Sequence, residues 1–139
     1  LTYKEIIQKI IDLLSADEAL KKPNIIREYY FGRPPQLNRF PCIFVEFEGG
    51  PIALMGLGGS SVRKDHNYRV TVCHRLAKQD VAEQFVCDAT EAIEANIRTN
   101  RTLSGLVTWA KVIRAERIDE LTDSDLKQIR ITIQTFREV

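Results

Sequence analysis

Arg98-Thr99-Asn100-Arg101-Thr102-Leu103-Ser104-Gly105-Leu106-Val107-Thr108-Trp109-Ala110-Lys111-Val112 is where the chain changes its period. Upstream, from Lys78 to Thr99, Val81, Phe85, Ala89, Ile93 and Ile97 recur every four residues, and Ala82 and Val86 widen the stripe. That spacing predicts an amphipathic helix, about 33 Å long at 1.5 Å per residue. Downstream, Leu106 to Ile118 alternates, with Val107, Trp109, Lys111 and Ile113 on one side, which predicts a strand. The chain must reverse between the two, and Gly105 can adopt the backbone geometry that such an exit needs. Leu103 and Gly105 are therefore the structural-turn candidates.

The same test organises the rest. Tyr3 to Leu14 places Ile6, Ile7, Ile10, Ile11 and Leu14 on one helical face, and Thr2 with Glu5 three residues on reads as a capping box. Ile25 to Phe31 reads as extended and is closed by Gly32, Pro34 and Pro35. Pro41 opens a strand, Cys42 to Glu48, with Ile43, Val45 and Phe47 on one side and Cys42, Phe44 and Glu46 on the other. Both sides are largely apolar, so one meets a helix and the other meets a neighbouring subunit or the core's rim. Five of the thirteen residues from Gly49 to Ser61 are glycine, which predicts a mobile loop holding a short strand at Ile52 to Met55. His66 to His74 alternates with Tyr68, Val70 and Val72 on one face, and Lys127 to Phe136 with Ile129, Ile131 and Ile133. The expected fold is one α+β domain over residues 1–139: a mostly antiparallel sheet of five or six strands against an N-terminal helix and a long central helix.

Composition narrows the function. The 20 Lys and Arg nearly cancel the 19 Asp and Glu, for a formal charge of +1. That balance argues against a protein that wraps nucleic acid over its outer surface. No apolar run is long enough for a membrane helix, and the first residues do not read as a secretory signal. Cys42, Cys73 and Cys87 are odd in number and lack CxxC spacing. They give no disulfide framework and suggest a reducing compartment; Cys42 and Cys73 read as small buried hydrophobes.

Catalytic and cofactor signatures fail one by one. A phosphate-binding loop needs a Lys directly after its glycines, whereas Gly59 is followed by Ser60 and Ser61, with Lys64 too late. Gly56 and Gly58 start a dinucleotide fingerprint, but Ser61 stands at its last glycine and a strand follows where a helix is required. His66 and His74 lie about 26 Å apart on a straight strand, have no metal-ligand spacing, and read as ordinary surface or edge residues. Asp119, Glu120, Asp123 and Asp125 form a polar turn without a positioned nucleophile. No enzyme activity, cofactor or metal is expected.

Two sets of residues remain as candidate contacts. Ile52, Leu54, Met55 and Leu57 are apolar inside a glycine-rich segment, where surface chains normally turn polar; with His66 and Tyr68 they are the candidate interface. Arg63, Lys64, Arg69, Arg98, Arg101, Lys111 and Arg114 are candidates for contact with DNA or an acidic partner. Segregated charge on a near-neutral chain also suits head-to-tail contacts in a ring.

Three segments carry a family resemblance that covers nearly the whole chain: Phe40-Pro41-Cys42-Ile43-Phe44-Val45-Glu46, Tyr68-Arg69-Val70-Thr71-Val72, and the helix exit Asn100-Arg101-Thr102-Leu103-Ser104-Gly105-Leu106-Val107. In this layout the chain resembles the tail terminator, or tail-completion, proteins of long-tailed bacteriophages and prophage elements. The resemblance implies a noncatalytic virion protein forming a ring, usually of six subunits. Such a ring caps the tail tube, stops its polymerisation and docks the head. Its partners would be further copies of itself, the tail-tube protein and the head-completion or connector protein, with genome DNA passing through the lumen unread. It implies a location at the head-proximal end of the tail, and no membrane. The alternatives are another head–tail junction component (a head-closure, connector or tail-tube protein) and a nucleic-acid-binding module of host origin.

Overall fold

The isoleucines of the first segment fold as expected. In the computed structural model, which describes residues 2–21, 26–37, 39–55, 61–75, 79–118 and 126–138, helix α1 (Thr2–Ser15) buries Ile6, Ile7, Ile10, Ile11 and Leu14. Thr2 is itself the first helical residue, so the capping position expected of it falls on Leu1, outside the described residues. Helix α2 (Gln79–Thr99) buries Ala82, Phe85, Val86, Ala89, Ile93 and Ile97. Val81, counted in the apolar stripe, is 43% exposed. A strict four-residue step gains about 40° on a helix of 3.6 residues per turn, so the far end of the stripe rotates out.

One polar residue on the buried side of α2 ties the helices together. Asn96 Nδ2 donates to the Leu13 carbonyl at 3.0 Å and to Asp17 Oδ2 at 2.9 Å. It thus satisfies one of the carbonyls that the end of α1 leaves without a helical partner.

Six strands form one sheet: β1 (Glu28–Phe31), β2 (Cys42–Gly49), β3 (Ile52–Met55), β4 (Ser61–Arg75), β5 (Trp109–Arg117) and β6 (Leu126–Glu138). The order is β1-β2-β4-β6-β5, and β3 also pairs with β4. Every pairing is antiparallel except β1 with β2, which is parallel. The link from Phe31 to Cys42 passes over the outer side of the sheet, where its Leu37 and Phe40 pack on Cys42, Phe44, Cys73 and Leu126. The second apolar side of β2 is therefore closed within the chain by a small outer core. Cys42 and Cys73 are buried opposite each other, and Cys87 is exposed.

The inner side faces the helices through Ile43, Val45, Tyr68, Val70, Val72, Ile129, Ile131 and Ile133. On β5 the inward residues are Ala110 and, partly, Val112. The expected alignment of Val107, Trp109, Lys111 and Ile113 thus describes the opposite side. Val107 is buried in the turn before the strand, Trp109 stacks on Phe136, and a bulge follows Val112.

The glycine-rich segment holds the short strand expected at Ile52 to Met55, but as part of the sheet rather than of a separate loop. β2 pairs with β4 from Cys42↔Cys73 to Gly49↔Asn67, and β3 then pairs with the same strand from Ile52↔Lys64 to Met55↔Ser61. Because β6 occupies the other side of β4 at Arg63 and Lys64, β3 is β2 continued past a bulge. Gly49 and Gly50 take φ +98° and +148° there, and a Cβ on Gly50 would collide with the Asp65 carbonyl. The Asp65 N–H donates to the Pro51 carbonyl at 3.1 Å and fixes the crossing. Residues 56–60, Leu57 among them, lie outside the described residues.

His66 and His74, expected at the surface or an edge, are both buried. β4 is an interior strand, so its inner side lies under the helices. His66 packs against the rings of Tyr3 and Phe47 at 5.2 and 5.4 Å, and His74 lies edge-on to Phe85 at 4.3 Å. Burial holds both imidazoles below their usual pKa. Lys64 and Arg137 add to the effect at His66, against the opposing influence of Asp65 and a hydrogen bond to the Gly50 backbone.

Two expected outcomes follow from these placements. Gly32→Ala, at φ +80° in open space, should lose only the left-handed backbone cost of about 1–2 kcal/mol, whereas Gly50→Ala adds a collision with the Asp65 backbone to its own backbone cost and should lose clearly more; urea midpoints at constant m-value compare them. For the histidines, folded pKa values below 6.5 mean that the unfolded chain takes up protons first. Their contribution is complete above the unfolded value and is lost as pH falls through it towards the folded values. Urea midpoints should therefore drop between pH 7 and pH 5, and the double variant His66→Gln/His74→Gln should flatten that slope.

Candidate functional site

Past the bulge, β3 and the start of β4 form a hairpin arm. Ile52 is 58% exposed, Leu54 is 74% exposed and Met55 is half-buried. The register sets Ile52 opposite Lys64 and Leu54 opposite Val62, on the same side as buried His66 and Tyr68. Here the helical layer ends: Lys64 Nζ donates to the Tyr3 hydroxyl in the first turn of α1 at 3.2 Å, and its ammonium lies 5.3 Å from the centre of that ring. Ile52 and Leu54 lie beyond this contact, which explains their exposure. β6 pairs with β4 only as far as Arg63, so the tip at Val62 and Ser61 has two strands among the described residues, and such a pairing with one apolar side uncovered is marginal on its own.

The interface candidates therefore divide. Ile52, Leu54 and Met55 form the arm, and Leu57 lies outside the described residues. His66 and Tyr68 are 4% and 0% exposed, so they are the arm's buried footing rather than surface contacts. Phe47, itself 40% exposed, packs 5.4 Å from each ring, and burial pushes the Tyr68 phenol above its ordinary pKa.

The basic candidates divide as well. Arg63 pairs with Asp65 at 2.9 Å and lies over Phe136, Lys64 is held by Tyr3, and Arg69 sits within 4.0 Å of Glu46. These three are engaged by the protein itself. Arg98, Arg101, Lys111 and Arg114 line one groove of about 560 Å³ between the end of α2 and β5, together with Glu94 and neighbouring β5 residues; the Lys111 ammonium there lies 5.1 Å from the centre of the Trp109 ring. Arg117 pairs with Glu83 at 2.7 Å and braces the end of β5 to α2.

The groove exists because of the turn below it. Leu103, Ser104 and Gly105 take φ +48°, +58° and +89° in succession. Each non-glycine residue in that region costs about 1–2 kcal/mol. Leu103 is fully buried, and burying a leucine side chain contributes about 1.5–3 kcal/mol. The Thr102 carbonyl accepts N–H groups from Gly105 at 2.9 Å and Val107 at 3.1 Å. The Thr108 N–H then donates to Phe136 at 2.8 Å and starts β5 along β6.

Among the described residues no group of three or more His, Cys, Asp or Glu is placed to hold a metal ion, and no helix is long and apolar enough to cross a membrane. Asp119, Glu120, Asp123 and Asp125 lie outside the described residues. Sequence reasoning missed the continuity of β2 with β3, because Gly49-Gly50-Pro51 has the local composition of a loop. It also missed Asn96, whose polarity on an apolar stripe was the available signal.

No protein-family model matches the chain, and no curated protein matches it. Among solved structures, a chain from "Virion of native gene transfer agent (GTA) particle" is similar with a TM-score of 0.52 and 12% identity. The match covers 100% of this chain and 95% of that one. At that identity the likeness is one of fold.

Proposed function

We propose that this chain is a noncatalytic structural protein of a virion and, more finely, the tail-terminator subunit: a ring that caps a tail tube and presents a docking face to the head. The observation that carries this reading is the end-to-end fold likeness to a chain of a gene transfer agent virion. The exposed apolar arm supports it, because such a side calls for a cover and a second copy provides one in a ring. The resemblance at the helix exit supplies the finer assignment. By that resemblance the partners are further copies of this chain, the tail-tube protein and the head-completion or connector protein, with DNA passing through the lumen. The protein then resides at the head-proximal end of the tail.

The mechanism needs no chemistry. Copies close a ring by heterologous contacts, one face matches the last layer of the tube, and the other face no longer matches a tube subunit, so growth stops. Sedimentation over a concentration series tests the arm's part. The expected result is that wild type associates beyond the monomer and that Leu54→Asp shifts association to at least tenfold higher concentration, with an unchanged urea midpoint. Identical association by the two proteins would remove the arm from the contact.

A further inference from the structure

The basic groove has a shape and charge that the proposed function does not use. β5 ends the sheet, so one rank of its backbone N–H and C=O groups has no strand beside it among the described residues. Arg98, in the last turn of α2, and Arg101, in the turn that follows it, come to this edge on the helical side. Lys111 and Arg114 pair with Gln134 and Thr132, which places them on the outer side. Cations therefore flank the open edge on both sides, over a floor that includes Ala110, Val112 and Ile113. None of the four cations has an ion pair with a described carboxylate; the one acid in the lining is Glu94. An extended segment added to such an edge would hydrogen-bond through its backbone and direct its side chains alternately to the two sides. The groove thus fits a strand with carboxylates at both parities.

The chain itself contains such a segment. Ile118-Asp119-Glu120-Leu121-Thr122-Asp123-Ser124-Asp125 carries four carboxylates and no base. Asp119, Asp123 and Asp125 share one parity and Glu120 has the other, and Ile118 and Leu121 add one apolar residue to each parity. We infer that the groove between α2 and the β5 edge receives the 118–125 segment of a second copy of this chain. The inference rests on the self-assembly reading above and adds the contact that orders the copies head to tail. Because donor and acceptor are different patches, the contact is heterologous and can propagate round a ring. Edge lysines and arginines also serve simply to keep sheet edges apart; in that role their sign would not matter to assembly.

A charge swap in the full chain tests it. One variant carries Arg98→Glu and Arg101→Glu; the other carries Asp119→Lys, Glu120→Lys and Asp123→Lys. Each alone should associate at least tenfold more weakly than wild type. Mixed in equal amounts they should recover wild-type association, since each supplies the complement of the other's altered patch. A groove variant that assembles like wild type, or a mixture that recovers nothing, overturns the inference and leaves the ring reading standing. If wild type is monomeric throughout, a fluorescein-labelled 118–125 peptide decides by anisotropy. Saturable binding weakened at least tenfold by the groove substitutions supports the site, and no binding overturns it. A single-stranded DNA oligonucleotide that displaces the peptide at lower concentration, and loses its own binding with the same substitutions, would make the groove a nucleic-acid site and overturn it as well.

Discussion

One strand, β4, sets the frame. It runs fifteen residues without a break and pairs with β6 from Arg63↔Glu138 to Arg75↔Leu126. Its other side carries β2 and, past the bulge, β3. A strand of fifteen residues reaches about 50 Å at 3.3 Å per residue, whereas α1, at fourteen residues, and α2, at twenty-one, span about 21 and 31 Å. The helical layer is therefore shorter than the strand it covers, and part of the sheet's inner side has to emerge. It emerges at the arm, just past Lys64 and Tyr3. Exposure of Ile52 and Leu54 is a consequence of this mismatch and of a bulge that only glycine can make.

The charges follow a similar logic. The net charge of +1 hides an uneven distribution of charge along the chain. Along α2, Asp80, Glu83, Asp88, Glu91 and Glu94 occur with no Lys or Arg until Arg98. Acidic residues in the first turn and a basic one in the last complement the helix dipole, so Asp80 and Arg98 have a local reason to be where they are. That reason does not extend to Arg101, just past the end of α2, or to Lys111 and Arg114, which meet Arg98 only after the chain has turned at Leu103-Ser104-Gly105 and run back along β6. The turn thus joins two stretches of moderate basicity into one groove.

Most of the fold was legible because it rests on period. The apolar faces of α1, α2, β4 and β6 are the ones the spacing named, apart from Val81 at the drifting end of its stripe. Where both parities of a strand contain apolar residues, as in β5, period alone could not choose the inward side; the position of α2 over Ala110 and Val112 did. Gly49-Gly50-Pro51 reads as a loop in any local sense, and only its pairing with a distant strand reveals a bulge. For the same reason His66 and His74 read as edge residues until β6 was known to lie beyond them. Of the candidate contacts, the apolar arm was legible from composition. The grouping of four among seven basic residues was not, since it depends on which turn brings α2 beside β5.

The most direct test of the account is to count subunits in the assembled particle, by native mass spectrometry of the purified protein with electron microscopy of the same sample. The account predicts closed rings of one fixed copy number, six on the family resemblance, either free or on the ends of purified tail tubes. Open filaments of unlimited length, or a monomer that stays a monomer in the presence of tail tubes, would contradict it.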